Sequence, residues 1–413
     1  MRVALFTDTL ADLNGVARFI GAAARDALVR APIHPDRELL VLTSTPRELE
    51  ATPNTVNVAP RAWRAMPHYP ELAVVWPPFR ALSAAVDRFH PDAVHVSTPG
   101  PVGFVGRAAA LRLGVPLLGT YHTDFPRYVD TLADDPVISW SFRQMQRWFY
   151  RPFSTILTRS AAYARQLADE GVPCSRLRAL RPGIDTARFS ASLRDPRVWS
   201  SLGGEVFGVP CPRDAHATTD PLRVLYVGRV SREKNLQRLV DAWPMVERNA
   251  TDTSSRPLQL VVVGEGPFRA DMQRQLASSI ERGTALFLGA RRAPLLQTLF
   301  ASANLFVFPS TTDTLGQVVI EAQCSGLPAI VTDAGGPREI VRDGVSGLVL
   351  PADASPALWA HALVSLAQDP ERCRSMSRAA AARASALTIE ASLDHFWDLH
   401  RRALAPRKPC QRA

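Results

Sequence analysis

Leu305-Phe-Val-Phe-Pro-Ser-Thr-Thr-Asp-Thr-Leu-Gly-Gln-Val-Val-Ile-Glu-Ala-Gln-Cys-Ser-Gly-Leu-Pro328 decides how the rest of the chain is read. Leu305 to Phe308 is a short apolar run closed by proline, which reads as a buried strand. Pro309 to Thr314 carries turn chemistry. Leu315, Val318, Val319 and Ala322 then fall at i, i+3, i+4 and i+7, the helical period. Gly326 stands where a helix end favours glycine, and Pro328 blocks continuation. The stretch therefore predicts a strand, a tight polar loop and a helix. The first amides of such a helix have no partner inside it, and its dipole favours an anion there. Asp313 lies at this positive end, and Glu321 about 12 Å further along the axis. Two carboxylates and an anion site are compatible when the amides hold a phosphate and the carboxylates accept from hydroxyls. A diphosphate with a polyol at each end, a nucleotide sugar, meets both demands. The plainer alternative makes Asp313 a helix N-cap and Glu321 a solvated helix residue.

Length and composition bound what surrounds this stretch. A chain of 413 residues that is 46% hydrophobic suits two domains of ordinary size. Its 48 Lys and Arg against 39 Asp and Glu leave a net charge of +9, which favours anionic ligands, anionic lipid or nucleic acid. Zinc-finger spacing, an RNP-like aromatic cluster and long basic runs are all missing, so nucleic acid is not expected as a partner. The five cysteines (Cys174, Cys211, Cys324, Cys373, Cys410) form no Cys-x-x-Cys and read as free thiols in a reducing compartment. Met1-Arg2 runs directly into a strand without a secretory signal, and no run of 18 apolar residues occurs. The expected location is cytoplasmic, with peripheral contact to the inner face of the cell membrane left open.

Toward the N-terminus the same unit recurs. Val3 to Phe6 is a strand, Thr7 to Gly15 a polar loop ending in Asn14-Gly15, and Val16, Phe19, Ile20 and Ala23 begin a helix. The Gly-x-Gly-x-x-Gly fingerprint is missing, which disfavours a dehydrogenase. Leu39 to Leu42 is a second strand. Residues 43–80 are rich in proline, aromatics and arginine, and read as a loop with short helical pieces. They suit either a lipid or partner surface or packing beneath the loop. Ala93 to Val96 and Val115 to Tyr121 are strands, the second ending in His122-Thr-Asp124. Carboxyl ends of strands face the ligand crevice in open α/β sheets, so His122 and Asp124 are site candidates, with a structural histidine as the alternative. Arg143, Arg147 and Arg151 share one helix face flanked by Trp140 and Trp148, a surface for anionic head groups or a solvated stripe.

Residues 190–221 lose periodicity and read as linker and inserted loop. The strand–loop–helix pattern then restarts at Val224 to Val227. Arg229 and Lys234 stand just before a helix start, where cations oppose the dipole unless an anion is held there. Leu260 to Val263 precedes Gly264-Glu-Gly-Pro267, and Ala285 to Leu288 precedes Gly289-Ala-Arg-Arg292. Beyond the central stretch come Ala329 to Val331, Asp333-Ala-Gly-Gly336 and Gly347 to Leu350. Ile389, Leu393, Phe396, Trp397 and His400 then make an amphipathic helix over 388–404, followed by a basic tail.

Several short motifs carry a joint resemblance. These are Phe6-Thr-Asp-Thr9 with Asn14-Gly-Val16, His90-Pro-Asp-Ala-Val-His95, Pro99-Gly-Pro101, Tyr121-His-Thr-Asp-Phe125, Val227-Gly-Arg229 with Glu233-Lys-Asn235, Gly264-Glu-Gly-Pro267, and Phe308-Pro-Ser310 through Asp313 to Glu321. Together they resemble glycosyltransferase family 4, retaining enzymes of the GT-B fold, over nearly the whole chain except 190–221. The branch resembled includes GDP-mannose-dependent α-mannosyltransferases and sulfolipid synthases. The resemblance implies two doubly wound Rossmann-like domains facing across a cleft, with a C-terminal helix crossing back to the first. The expected boundaries are 1–186 for the acceptor-side domain, 187–221 for the linker, 222–384 for the nucleotide-sugar domain, and 385–413 for the returning helix and tail.

The resemblance also implies roles. Arg229 and Lys234 would hold the diphosphate, capped by the amides of Leu315, Gly316 and Gln317. Glu321 would accept from ribose hydroxyls and Asp313 from the sugar. Here Asp313 stands where many relatives have glutamate, so its reach is one methylene shorter. Gly289 and Arg291 would lie near the base, with guanine and uracil both open. Asn14, Gly15 and His122 would approach the reacting sugar. The expected activity is hexosyl transfer from a nucleotide sugar, mannosyl from GDP-mannose, to a lipid or glycan acceptor, without metal or other cofactor. The alternatives are a UDP-sugar-dependent glycolipid synthase, a GT-B epimerase or phosphorylase, and a nucleotide-sugar-binding protein without catalysis.

Overall fold

The computed structural model describes residues 1–12, 15–66, 69–122, 136–207, 220–251 and 256–405. The chain forms two compact units. Unit 1 is Met1–Pro182 together with the segment from Ile389 onward, and unit 2 is Gly183–Thr388.

In unit 1 the strands are β1 (Arg2–Phe6), β2 (Glu38–Thr43), β3 (Thr55–Asn57), β4 (Ala62–Met66), β5 (Tyr69–Trp76), β6 (Ala93–Val96), β7 (Leu117–Tyr121), β8 (Thr155–Thr158) and β9 (Leu177–Ala179). Seven of them make a parallel sheet in the order β3-β2-β1-β6-β7-β8-β9. Its central strands β1, β2, β6 and β7 are mainly apolar on both faces, as a sheet covered on both sides requires. Successive side chains alternate between those faces. Val3 and Leu5 join Leu157 against helix α1 (Gly15–Val29) and the C-terminal helix Ile389–Leu404. Ala4 and Phe6 join Val94, Val96 and Tyr121 against α2 (Phe79–Phe89), α3 (Pro101–Leu113) and helix Pro136–Tyr150.

The C-terminal helix is fixed firmly into this unit. Phe396 and Trp397 are fully buried. Asp394 accepts from Arg30 at 3.0 Å and Arg37 at 2.6 Å. Beneath them, His400 Nδ1 lies 2.7 Å from the Phe396 carbonyl, His400 Nε2 lies 3.1 Å from His95 Nδ1, and His95 Nε2 lies 2.9 Å from Thr120 Oγ1. A carbonyl only accepts, so His400 Nδ1 donates to it and Nε2 accepts from His95; His95 Nε2 then accepts from the threonine hydroxyl.

Two expectations are corrected here. Among the described residues, 43–78 contain β3 and the antiparallel ribbon β4–β5 and no helix, and helical structure begins only with α2 at Phe79. A peripheral two-stranded ribbon tolerates the prolines that made this region read as loop. Residues 190–221 contain a helix, Val198–Phe207, whose Val198, Trp199 and Leu202 enter the core of unit 2.

Unit 2 carries β10 (Leu222–Val227), β11 (Leu258–Val263), β12 (Ala285–Gly289), β13 (Leu305–Phe308), β14 (Ala329–Thr332) and β15 (Gly347–Leu350). They form a parallel sheet in the order β12-β11-β10-β13-β14-β15. Trp243 and Trp359 are fully buried in its core.

Candidate active site

The winding of unit 2 reverses between β10 and β13, and open parallel sheets hold ligands outside the carboxyl ends of their strands at such a point. Hydrogen bonds lace together the two loops that leave these strands. Asn235 Nδ2 donates to the Pro309 carbonyl at 3.3 Å, and Thr312 Oγ1 donates to the Glu233 carbonyl at 3.2 Å. Lys234 Nζ reaches both carboxylate oxygens of Asp313, at 2.9 and 2.8 Å. Half-buried Arg229 begins the first loop, and its carbonyl accepts from the Tyr226 hydroxyl at 2.7 Å. Burial, and then the charges of Asp313 and Glu233, push that hydroxyl well above its ordinary pKa.

Gly316, not Asp313, is the N-cap of helix Gln317–Cys324. Its φ of +74° is strained for any residue with a Cβ, and such an atom would lie 2.7 Å from Pro337 Cγ. Asp313 precedes the cap by three residues, and its carboxylate belongs to Lys234, so the plain capping alternative fails. The amides of Leu315, Gly316 and Gln317 donate to no acceptor among the described residues, and they lie at the helix end that favours an anion. Glu321 is 1% exposed, which removes the solvated-helix alternative. Burial first, and the charge of Glu321 second, push the Cys324 thiol up to about 12.

The loop after β14 backs this arrangement. Gly336 N donates to the Asp313 carbonyl at 2.9 Å, and a Cβ on Gly336 would come within 2.3 Å of the Thr314 carbonyl. Sequence patterning assigns Asp333-Ala-Gly-Gly336 no role; the signal it carries is a glycine pair beginning three residues past the end of β14. On the other side of β10, Gly264 N donates to the Gly289 carbonyl at 2.9 Å. Arg291, half-buried two residues beyond Gly289, has a buried Nε without a partner.

In unit 1, Gly15 is the first residue of α1. Asn14 and Asp124 lie outside the described residues. Asp8 leaves β1 and accepts from the amides of Val102 at 2.8 Å and Gly103 at 3.3 Å, and from Thr98 Oγ1 at 2.7 Å. It thereby fixes the start of α3. His122 follows β7, and the register Tyr121↔Thr158 sets it beside Arg159, which follows β8. Burial, then the charge of Arg159, hold the His122 imidazole well below its ordinary pKa, so it is neutral at pH 7.

The two halves of the chain match two family models, Glycosyltransferase Family 4 over residues 26–188 and Glycosyl transferases group 1 over residues 212–383. Over 386 residues the chain is 31% identical to a GDP-mannose-dependent alpha-mannosyltransferase of Mycobacterium tuberculosis, covering 90% of this chain and 89% of that protein. The chain belongs to glycosyltransferase family 4. A GDP-mannose-dependent alpha-mannosyltransferase of Corynebacterium glutamicum is 27% identical over 85% of this chain and 76% of its own. Sulfoquinovosyl transferase SQD2 of Arabidopsis thaliana is 30% identical over 63% of this chain and 46% of its own. Among solved structures, Anabaena Alr3699/HepE in complex with UDP superposes with a TM-score of 0.70 at 17% identity, over 97% of this chain and 100% of that one. Sucrose-phosphate synthase from Thermosynechococcus elongatus does so at 0.72 and 20% identity, over 98% and 99%. The fold of this family 4 chain is GT-B, and the protein is a glycosyltransferase that uses a nucleotide sugar donor. Among its described residues no helix is long and apolar enough to cross a membrane.

Proposed function

We propose that this family 4 enzyme moves a mannosyl group from GDP-mannose, with retention at the anomeric carbon, to a lipid or glycan acceptor. One observation carries the reading: the Lys234–Asp313 pair at the switch point of the unit 2 sheet, with three amides just beyond it that engage no acceptor among the described residues. An ammonium has three protons; Asp313 engages two, and the third is left for a phosphate oxygen. Arg229, Lys234 and the helix amides are preorganised for the negative charge that develops on the diphosphate as the glycosidic bond breaks. Asp313 accepts from the sugar, Glu321 from the ribose, and neutral His122 from a hydroxyl. Because two cations and a helix end neutralise the diphosphate, the reading calls for no metal, and EDTA is expected to leave turnover unchanged.

The test is turnover of GDP-mannose by Lys234→Ala and Glu321→Ala. Each is expected to fall about 100-fold, the scale of one or two lost charge-assisted hydrogen bonds. Full turnover in either removes the site assignment. Thermal stabilisation separates the bases, since a ligand at 100 times its dissociation constant adds about 2.7 kcal/mol. Stabilisation by UDP and not GDP would replace this reading with a UDP-sugar-dependent glycolipid synthase, the second reading that the sulfoquinovosyl transferase likeness favours.

The surface of unit 1 supports a lipid acceptor at an anionic bilayer. On one face of the β4–β5 ribbon, Val74 and Trp76 stand beside Arg64, 50% and 69% exposed. Helix Pro136–Tyr150 exposes Val137, Trp140 and Trp148. Indole rings with basic neighbours suit the head-group region. Co-sedimentation with anionic but not neutral vesicles is expected; equal sedimentation with both rules this acceptor surface out.

A further inference from the structure

Arg159 directly follows the last residue of β8 and is 5% exposed. Its Nη1 is buried and makes no hydrogen bond. Among the described residues it makes no ion pair; burial alone draws its pKa down, to about 10, so the guanidinium stays charged at neutral pH. Folds ordinarily pair or neutralise such a charge, because burying it alone lowers stability.

Its surroundings are those of an anion site. The guanidinium carbon lies 4.8 Å from the ring centroid of Phe19 in α1. That cation–π contact uses one face of the guanidinium and leaves Nη1 uncommitted. Phe19 is four residues into α1, roughly 6 Å along the axis from the start of this 15-residue helix, the end that favours an anion. Leu157 packs with Phe19 in the same core, and Arg159, two residues on, continues the same face of the strand. The β7–β8 register sets His122 beside it at the carboxyl end of the sheet, where open sheets take their ligands.

We propose that Arg159 is the anion-binding residue of unit 1, holding a phosphate or carboxylate group of a substrate beside His122. The donor diphosphate and an anionic acceptor head group present the same chemistry to a guanidinium. The inference goes beyond the transfer reading and concerns unit 1 alone, so it stands or falls separately from Lys234 and Glu321.

The experiment is calorimetric titration of the full chain with inorganic phosphate, GDP and UDP at fixed ionic strength. It compares wild type, Lys234→Ala, Arg159→Gln and Arg159→Lys. Arg159→Gln is expected to weaken at least one of these ligands about tenfold or more, the scale of a lost charge-assisted hydrogen bond. Arg159→Lys keeps the cation and loses the planar fork, so it weakens the same ligand less, and it stands in if the glutamine variant does not fold. Weakened GDP or UDP places the donor diphosphate on Arg159. Weakened phosphate with unchanged nucleotides, and with phosphate binding kept in Lys234→Ala, places an acceptor anion there. Affinities for all three ligands equal to wild type in the folded Arg159 variant overturn the inference.

Discussion

Lys234 and Asp313 share a contact, yet their substitutions are expected to be unequal. Lys234→Ala removes a cation from the diphosphate position, and GDP affinity should fall about 10- to 100-fold, since a hydrogen bond to a charged group is worth about 1.5–3 kcal/mol. Asp313→Asn removes the competitor for the same ammonium. GDP affinity should hold or rise while turnover falls, because only the sugar contact is lost. Calorimetry with GDP beside turnover of GDP-mannose distinguishes the two, and equal losses of GDP affinity would make the pair a structural clamp instead. Reactivity at cysteine is a second residue-scale expectation. Buried Cys324, its thiol raised to about 12, should resist iodoacetamide at pH 8 in the folded chain, while exposed Cys174 is alkylated. Peptide mass spectrometry reads this directly, and rapid labelling of Cys324 would show that its helix opens. Glu321 and Asp313 were legible as candidates because helix spacing and loop chemistry are local. The Lys234–Asp313 contact was not, since 79 residues separate the partners and no spacing rule spans that distance. Arg159 gave no signal at all, being one arginine among many until the strand register set it beside His122.

At the scale of elements, the C-terminal helix couples acidity to stability. Burial holds His400 down to about 4, against 6.5 when exposed, and burial followed by the charge of His400 holds His95 well below its ordinary pKa. Between those values the unfolded chain binds a proton that the folded chain refuses. The contribution is therefore complete above about pH 6.5 and is lost as pH falls toward 4. At about 1.4 kcal/mol per pH unit, His400 alone should cost unit 1 about 2 kcal/mol between pH 6.5 and 5. Denaturant unfolding of wild type and His400→Gln at both pH values checks this; the glutamine variant should show the flatter pH dependence. The helix itself was readable from the spacing of Ile389, Leu393, Phe396 and Trp397. The Val198–Phe207 helix was not, because Gly203-Gly204 interrupts its apolar pattern. The β4–β5 ribbon was hidden for a related reason: Pro67, Pro70 and Pro77 signal turns more strongly than alternation signals strands.

For the whole molecule, the two units differ in how the chain composes them. Unit 2 is one continuous stretch, whereas unit 1 needs two. The fragment 183–388 is expected to fold alone with a cooperative thermal transition. The fragment 1–182 should not, because α1 and the sheet lose Leu393, Phe396 and Trp397, and deleting even one buried aromatic side chain costs about 3–5 kcal/mol. Adding the peptide 386–405 to fragment 1–182 should restore a transition visible by circular dichroism. A stable 1–182 without the peptide would mean that the helix is an accessory. The restart of the strand–loop–helix pattern near residue 222 made two units readable. Assigning residues 183–221 to unit 2 required the packing of Trp199 into its core, which composition alone did not signal.

That discontinuity also orders events on the ribosome. The half of the protein made first is completed last, because the residues that cover Phe19, Ile20 and Leu157 emerge only after all of unit 2 has been translated. For roughly two hundred codons, some ten to forty seconds at ordinary elongation rates, an apolar sheet face stays uncovered. Nascent chains of this protein should therefore be clients of trigger-factor-like chaperones for longer than those of a protein whose domains close in order. A slow codon cluster or a premature stop near the end of the message would harm the first domain rather than the last.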